Sequence, residues 1–451
     1  MSSPVFAITE QARQTPVVFE ADLCIVGGSC TGIFAAVRAA RMGLKVAVVE
    51  QNTLFGGMAV AAQVNVWNST FDAFHEQRII GGLTIEVVER LRKRGAVQEI
   101  PPGKRNQFYF NSAELCVELD ELVREHHIRP FLCGRVVAAV REGNRVDAVI
   151  IEDKSGRRAI RAHQFIDASG EGDLIRRAGF AAYQRDQLQP ANLQALIYGF
   201  DELKGDYVRQ AIKNRAAEFD YPRDNSTPWL MNWPGAPGIY NTFGARLNGV
   251  DASNADDLTA TLMEARRIHR ALLDMVKSES GGQQLNIVAW AHALGVRETW
   301  HAHCLHQLTA DELLHGENFP DAIANGTYPI DVHSPEGTFL RYLDGREETV
   351  QRDGTQHWRR WRDKSTFTPR CYHIPYRSLV PQEAENVLVA GRVLDADRDA
   401  FGGVRVMVNM NQTGEAAGVA SALALKNSVM VADVDAQLLR DELAAGGTII
   451  C

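Results

Sequence analysis

The residues best suited by type and spacing to do chemistry lie between positions 21 and 50. Asp22 leads into the apolar run 23–26, and the chain then passes through Gly27-Gly28-Ser29-Cys30-Thr31-Gly32. An alanine-rich stretch, IFAAVRAARM, follows from Ile33 and stops at Gly43, and KVAVVE ends in Glu50. This pattern predicts a buried parallel strand, a tight turn, a helix with a glycine C-cap, and a second buried strand. Such a unit turns backbone N–H groups and the positive end of a helix dipole toward a pyrophosphate. Gly27 permits the turn, the third position needs a small residue, and Gly32 lets the helix pack closely on the strand. Glu50 stands 50 − 32 = 18 residues beyond Gly32, a spacing that suits a carboxylate accepting ribose hydroxyls. An acid there repels a 2′-phosphate, which argues against NADP.

Ser29 departs from the glycine usual at the third position. Serine is a small replacement, and its hydroxyl is suited to donate to a phosphate oxygen. The competing reading is a glycine-rich turn with no ligand; the strand before, the helix after and the acid at its distance weigh against it. Cys30 reads as a small helix-start residue whose thiol pKa a helix N-terminus would lower.

Later segments must decide which dinucleotide is held. QNTLFGGMA supplies Gly56 and Gly57 as a flexible loop able to pass over a diphosphate or a flavin. From 131 to 164 the pattern becomes three short strands with turn signals: FLCGRVVAAV, RVDAVIIED and RRAIRAHQ, a β-meander. FIDASGEGDL then reads as a separate buried strand returning to the parallel sheet. NVLVAGRVLDAD is another apolar strand, broken at Gly391-Arg392. A small-residue helix beginning near Arg405 would aim its N-terminus at a ligand, where it would stabilise the negative charge of a reduced flavin.

Taken in order, GGSCTG, GGMA, DASGEGDL, GVRET, YPIDVH, YHIPYRSLVP, LVAGR and GGVRVM…GEAAG resemble the FAD-dependent oxidoreductase family, itself distantly similar to fumarate reductase flavoproteins. The resemblance runs from about residue 22 to 425 and implies FAD as cofactor. It carries FAD contacts to Gly27, Gly28, Ser29, Gly32, Glu50, Gly57, Ser169, Gly170, Asp173, Gly391, Arg392 and Arg405. Thr31, Gln51, Met58, Val136, Gly403 and Val406 complete the expected cofactor set. The implied fold class is α/β: a Rossmann-like FAD-binding domain, with parallel sheet and meander, carrying an inserted α+β capping domain. Residues 1–180 and 366–451 are expected to form the first, and 181–365 the second.

The middle region holds most of the tryptophans, the loop-forming stretch TPWLMNWPGAPG, and an amphipathic helix over 256–277. A further helix is expected over 83–94. No second glycine fingerprint appears, so a dedicated NAD(P)H domain is not expected, and the electron acceptor or donor is left unidentified.

Three residues are candidates for catalysis. His373, as a general acid or base, and Arg377, as an anion clamp, lie where the chain returns from the cap. Against them stand a packed histidine and a paired arginine. Arg297 matches a family arginine near the active site; its alternative is an ion pair with Glu298 or a cap carboxylate. His301 and His303, with His292, invite a metal hypothesis, but no carboxylate or cysteine falls at ligand spacing, and no metal is expected.

With 451 residues, of which 45% are hydrophobic, the chain can bury more than one core. The charge of 48 − 56 = −8, without a basic run, disfavours nucleic acid. No apolar run reaches the roughly 20 residues of a membrane span, and residues 1–20 lack a secretory layout. Seven scattered cysteines without CxxC suggest a reducing, cytoplasmic setting. The expected activity is hydride transfer between a small oxygenated or anionic metabolite and flavin N5; homo-oligomerisation is left open. Two other readings stay in play: non-redox chemistry in the cap, and a non-catalytic FAD-binding module.

Overall fold

The computed structural model describes residues 7–100, 107–200, 207–222, 229–244, 246–278, 284–351 and 354–451. The opening unit forms as β1 (Val17–Val26), α1 (Cys30–Arg41) and β2 (Val46–Glu50). β1 and β2 run parallel, with Leu23 opposite Val46 and Val26 opposite Val49. Side chains alternate along both strands. Leu23, Ile25, Val46 and Val48 enter one core with α1, while Cys24, Val26, Ala47 and Val49 enter a second. A strand covered on both faces needs apolar residues at every position, which is why these runs are unbroken.

The meander differs from expectation in two ways. β3 (Arg129–Leu132) is a separate strand, parallel to β2 at the sheet edge. The chain turns at Cys133, which has positive φ, and only then enters β4 (Arg135–Glu142) and β5 (Arg145–Asp153). RRAIRAHQ and FID, read as two strands, are one: β6 (Gly156–Asp167). β6 lies parallel to β1 along most of its length. β1 is long enough to template both halves, so the exchange of partner on the far side of β6 needs no turn.

In the middle of the chain, β7 (Gln194–Tyr198) pairs antiparallel with strands Ile239–Phe243 and Asn286–Trp290. Trp229–Asn232 adds a fourth strand, so part of the expected loop stretch is sheet; Thr227 and Pro228 lie outside the described residues. α2 (Ala255–Ser278) buries Ala265, Ile268, Leu272 and Met275 in a third core with this sheet. β8 (Ile330–Ser334) opens another four-stranded antiparallel sheet, which ends at Gln356–Arg360.

The chain then returns to the first sheet. β9 (Val387–Val389) pairs in parallel with residues 165–167 of β6. The helix expected to start near Arg405 is two helices, α3 (Arg398–Val404) and α4 (Met407–Asn427). Asp397 caps α3 by accepting from Ala400 N, so a helix begins earlier, and Arg405-Val406 form the joint. α4 crosses α1 at backbone contact: a Cβ built on Gly414 would lie 2.1 Å from Thr31 O, and one on Gly418 2.2 Å from Ala35 O. Among the described residues no helix is long and apolar enough to cross a membrane.

Alanine ordinarily stabilises a helix interior by about 1 kcal/mol over glycine. At Gly414 the sign should reverse. Gly414→Ala is expected to lower stability by roughly 1–3 kcal/mol through overpacking, read as a lower urea midpoint at unchanged m-value. A midpoint that rises would contradict this account of the crossing.

Candidate functional site

Three loops meet at the C-terminal end of β1. The Gly27–Ser29 turn is the first, and Gly27 N donates to Val49 O at 2.8 Å. Ser29 is the N-cap of α1, and its Oγ accepts from Gly32 N at 3.3 Å. The serine therefore serves the helix first, a role its expected phosphate contact did not include. The 56–58 loop is the second; Gly56 N donates to Gly28 O at 2.8 Å. Gly57 has φ +47°, and a Cβ on it would stand 2.7 Å from Ser29 Cβ. Cys30 is buried, and burial pushes its thiol up to about 12. That corrects the lowered pKa expected of a helix start: desolvation outweighs the dipole.

Glu50 ties the turn to β2. Its Oε2 accepts from Gly28 N at 2.7 Å, and its Oε1 from Asn52 N at 2.8 Å and Asn52 Nδ2 at 2.6 Å. Burial raises its pKa against these donors. Two carboxylate oxygens offer about four lone-pair sites, so the group is oriented without being exhausted.

The third loop, 168–173, is organised by Asp167, which the sequence reading missed. Its Oδ1 accepts from Ser169 N at 3.1 Å and Ser169 Oγ at 2.6 Å. Its Oδ2 accepts from Leu174 N at 2.9 Å and Ile175 N at 3.0 Å. A carboxylate closing an apolar run was the available signal, since such a group is buried only when paired. Arg392 lies directly over this loop: a Cβ on Gly170 would be 2.6 Å from its Nη2. Burial lowers the Arg392 pKa while nearby Glu171 raises it, and among the described residues the Arg392 Nε has no partner. Burial, reinforced by Asp173, pushes Glu171 up to about 7.

Between these loops runs an open cleft. Of the expected cofactor residues, Gly27, Ser29, Glu50, Gln51, Gly57, Met58, Val136, Ser169, Asp173 and Arg392 line it. Gly28, Thr31, Gly32, Gly170, Gly391, Gly403, Arg405 and Val406 do not. Several of these shape it from behind: Gly28 holds Glu50, Gly391 N donates to Thr413 Oγ1 at 3.0 Å, and Gly403 O accepts from Tyr372 Oη at 2.9 Å. The reading missed Asn52, Ala61, Ala62, Arg135 and Glu171, together with Ala293, Leu294 and Val296 from the middle region. Ala293 N donates to Ala61 O at 2.9 Å, which fastens that segment onto the 56–62 loop.

The lining fits an FAD in chemistry. It combines ribose acceptors (Glu50, Asn52), the start of α1 at Ser29, the Arg392 Nε without a partner among the described residues, and apolar Met58, Ala61, Leu294 and Val296 for a ring.

Of the three catalytic candidates, two are occupied elsewhere. His373 sits in the buried strand Tyr372–Pro375, with its Nδ1 3.0 Å from Asn325 Oδ1. Arg377 is half-exposed and engages Asp321 at 3.0 Å. Neither lines the cleft. Arg297 follows Val296 of the lining and belongs to a partly buried group with Arg246, Arg405, Asp331, Tyr328 and His333. Glu298, its expected alternative partner, instead bonds Arg185 and His301. His301 and His303 both stack near the Tyr183 ring, at 5.1 and 4.7 Å. Among the described residues no group of three or more His, Cys, Asp or Glu is placed to hold a metal.

The sequence model of the family described as FAD dependent oxidoreductase matches residues 22–443. No curated protein matches the sequence. Among solved structures the chain is similar to a geranylgeranyl bacteriochlorophyll reductase-like protein from Thermoplasma acidophilum. That likeness has 12% identity and a TM-score of 0.50, over 95% of this chain and 83% of that one. It is also similar to the p-nitrophenol 4-monooxygenase PnpA from Pseudomonas putida DLL-E4, at 9% identity and a TM-score of 0.45, over 94% and 83% of the two chains. At 12% identity the first likeness speaks for the fold alone: a mixed α/β, Rossmann-like nucleotide-binding architecture.

Two substitutions test the turn. Ser29→Gly should retain FAD, since a serine N-cap replaced by glycine costs only a few tenths of a kcal/mol. Gly57→Ala should weaken FAD binding by roughly tenfold or more, through left-handed strain and the clash with Ser29. The double variant should recover part of that loss, read from visible flavin absorbance per protein after dialysis. Additive losses would mean that the two residues do not touch.

Proposed function

The chain belongs to the FAD dependent oxidoreductase family and takes FAD as its cofactor, and from that premise we propose that its cleft holds the FAD beside a substrate site closed by residues 293–297. The reaction is hydride transfer between a small oxygenated or anionic metabolite and flavin N5. FAD supplies the two-electron chemistry when bound.

The observation that carries this reading is the seal between Ala293 and Ala61. It fastens the lining residues Ala293, Leu294 and Val296 to the 56–62 loop, and Arg297 follows them in the chain. Glu50 would take ribose hydroxyls, while the start of α1 at Ser29 and Arg392 would take the diphosphate. α4 starts without a side-chain cap, which leaves its first N–H groups to a ligand. In this reading residues 1–180 and 366–451 form the FAD-binding lobe and 181–365 the cap. Arg297 orients the substrate; His373 and Arg377 are structural. The electron acceptor or donor is a separate molecule.

The reading predicts that the purified holoprotein's flavin bleaches anaerobically with at least one small hydroxy, oxo or carboxylate metabolite, or that dithionite-reduced protein is reoxidised by one. If neither occurs across a broad panel, hydride exchange is the wrong chemistry. A flavin-dependent isomerisation without bleaching would point instead to non-redox use of the cap.

A further inference from the structure

We propose that Arg246, Arg297 and Arg405 form a carboxylate-binding subsite that holds an acid group of the substrate, next to the cleft wall at Val296. The inference rests on the preceding reading for the location of the substrate, and adds its chemical class and the residues that recognise it.

The argument is one of unmatched charge. Three guanidiniums converge here, and among the described residues the carboxylate set against them is Asp331. Arg405 Nη2 donates to Asp331 O at 3.0 Å and to its Oδ2 at 3.3 Å. Arg297 Nη1 donates to Pro190 O at 2.5 Å and reaches Asn192 Oδ1 at 3.5 Å. Arg246 Nη1 donates to Thr338 Oγ1 at 2.7 Å. A guanidinium has five N–H donors, and two of these three spend theirs on neutral oxygens. Burial, with Arg405 and Arg246 close by, pushes Arg297 down to about 9. Guanidinium keeps its proton in proteins, so this pressure expresses a missing counter-charge.

The neighbours do not relieve it. Burial works against ionisation of Asp331, yet His333, Arg405 and the Tyr328 hydroxyl beside it hold its carboxyl below the usual range. His333 is taken down to about 3 by burial, with Arg297 and Arg246 repelling its charged form. Polar atoms around the group also lack partners. Gln189 is 3% exposed and Gln194 fully buried; among the described residues Gln189 Nε2, Gln194 Nε2 and Arg405 Nε are donors without a hydrogen bond, and Gln194 Oε1 and Asp331 Oδ1 are acceptors without one. Gln189 Oε1 meets His333 N, and Gln194 Oε1 would lie 3.1 Å from a Cβ on Gly295, two residues before Arg297. Buried donors of this kind are costly unless something occupies them. A planar oxyanion matches the arginine fork in two parallel bonds, as Asp331 already does in part. A carboxylate on a small substrate would satisfy the excess donors and the excess charge together.

The test uses oxidised, FAD-loaded protein titrated with malonate, its neutral analogue malonamide, and inorganic phosphate. Binding is followed by the flavin difference spectrum and by calorimetry. Malonate should bind at least on the order of 100-fold tighter than malonamide, and Arg246→Gln should reduce that affinity by a similar factor at unchanged FAD content. Asp331→Asn should tighten malonate binding several-fold, because it removes the competing carboxylate; a merely disrupted site would weaken it. The subsite is refuted if malonate and malonamide bind alike, if Arg246→Gln leaves malonate affinity intact, or if phosphate binds where malonate does not. Any of these together with anaerobic bleaching by a neutral metabolite would end the subsite and leave the oxidoreductase reading standing.

Discussion

Helices from opposite ends of the chain, α1 and α4, cross with only glycine between their backbones, at Gly414 over Thr31 and Gly418 over Ala35. The cleft depends on that approach. Immediately before α4 the chain carries β9, Arg392 and the α3–α4 joint, and Thr413 on α4 accepts Gly391 N. If α4 stood off by the width of a methyl group, Arg392 would leave the 168–173 loop and the C-terminal wall of the cleft would open. A few small side chains thus position a cation more than 360 residues away from the turn it completes.

The buried acids and the buried arginines divide the electrostatic work. Glu50, Asp167 and Asp395 spend their oxygens on protein donors: Gly28 N, Leu174 N, and Cys304 N at 2.9 Å. Hydrogen bonds to an ionised acceptor are worth about 1.5–3 kcal/mol each, so these groups lock loops that would otherwise fray. Glu415 does the same for Leu83 N and Arg38, and burial raises it to about 7. The arginines nearest the cleft are the reverse case, with donors left over. Unspent donors of this kind suit an anionic ligand locally, although the net charge of the chain is −8. Net charge spoke only against polyanions; it said nothing about a local site.

What was legible in the sequence follows from how local each contact is. The unit from Gly27 to Glu50 closes through partners at most 23 residues apart, so its spacing reads directly. β6 did not read correctly, because its continuity is imposed by β1, more than a hundred residues earlier. His373 and Arg377 were judged by position along the chain, whereas their nearest polar partners, Asn325 and Asp321, come from another strand and loop. Ala293, Leu294 and Val296 carry no chemical signature; small apolar residues in a cap announce nothing until a hydrogen bond sets them against Ala61. Asp167 was readable in principle, because a carboxylate at the end of a buried run needs donors.

The irregular turn residue fits the same logic. A glycine at the third position would leave room above it; Ser29 fills that room with a Cβ, and the opposite loop gives it back at Gly57. The requirement for close approach has moved from one loop to its neighbour, and the serine oxygen has gained a capping bond to Gly32 N. Read as one string the fingerprint has lost a glycine. Read as two loops bridged at Ser29 and Gly56, it has kept the clearance that a pyrophosphate needs and added a fixed start for α1. The quantity to compare among chains with this turn is therefore the sum of side-chain volume at the two facing positions, not the identity of either one.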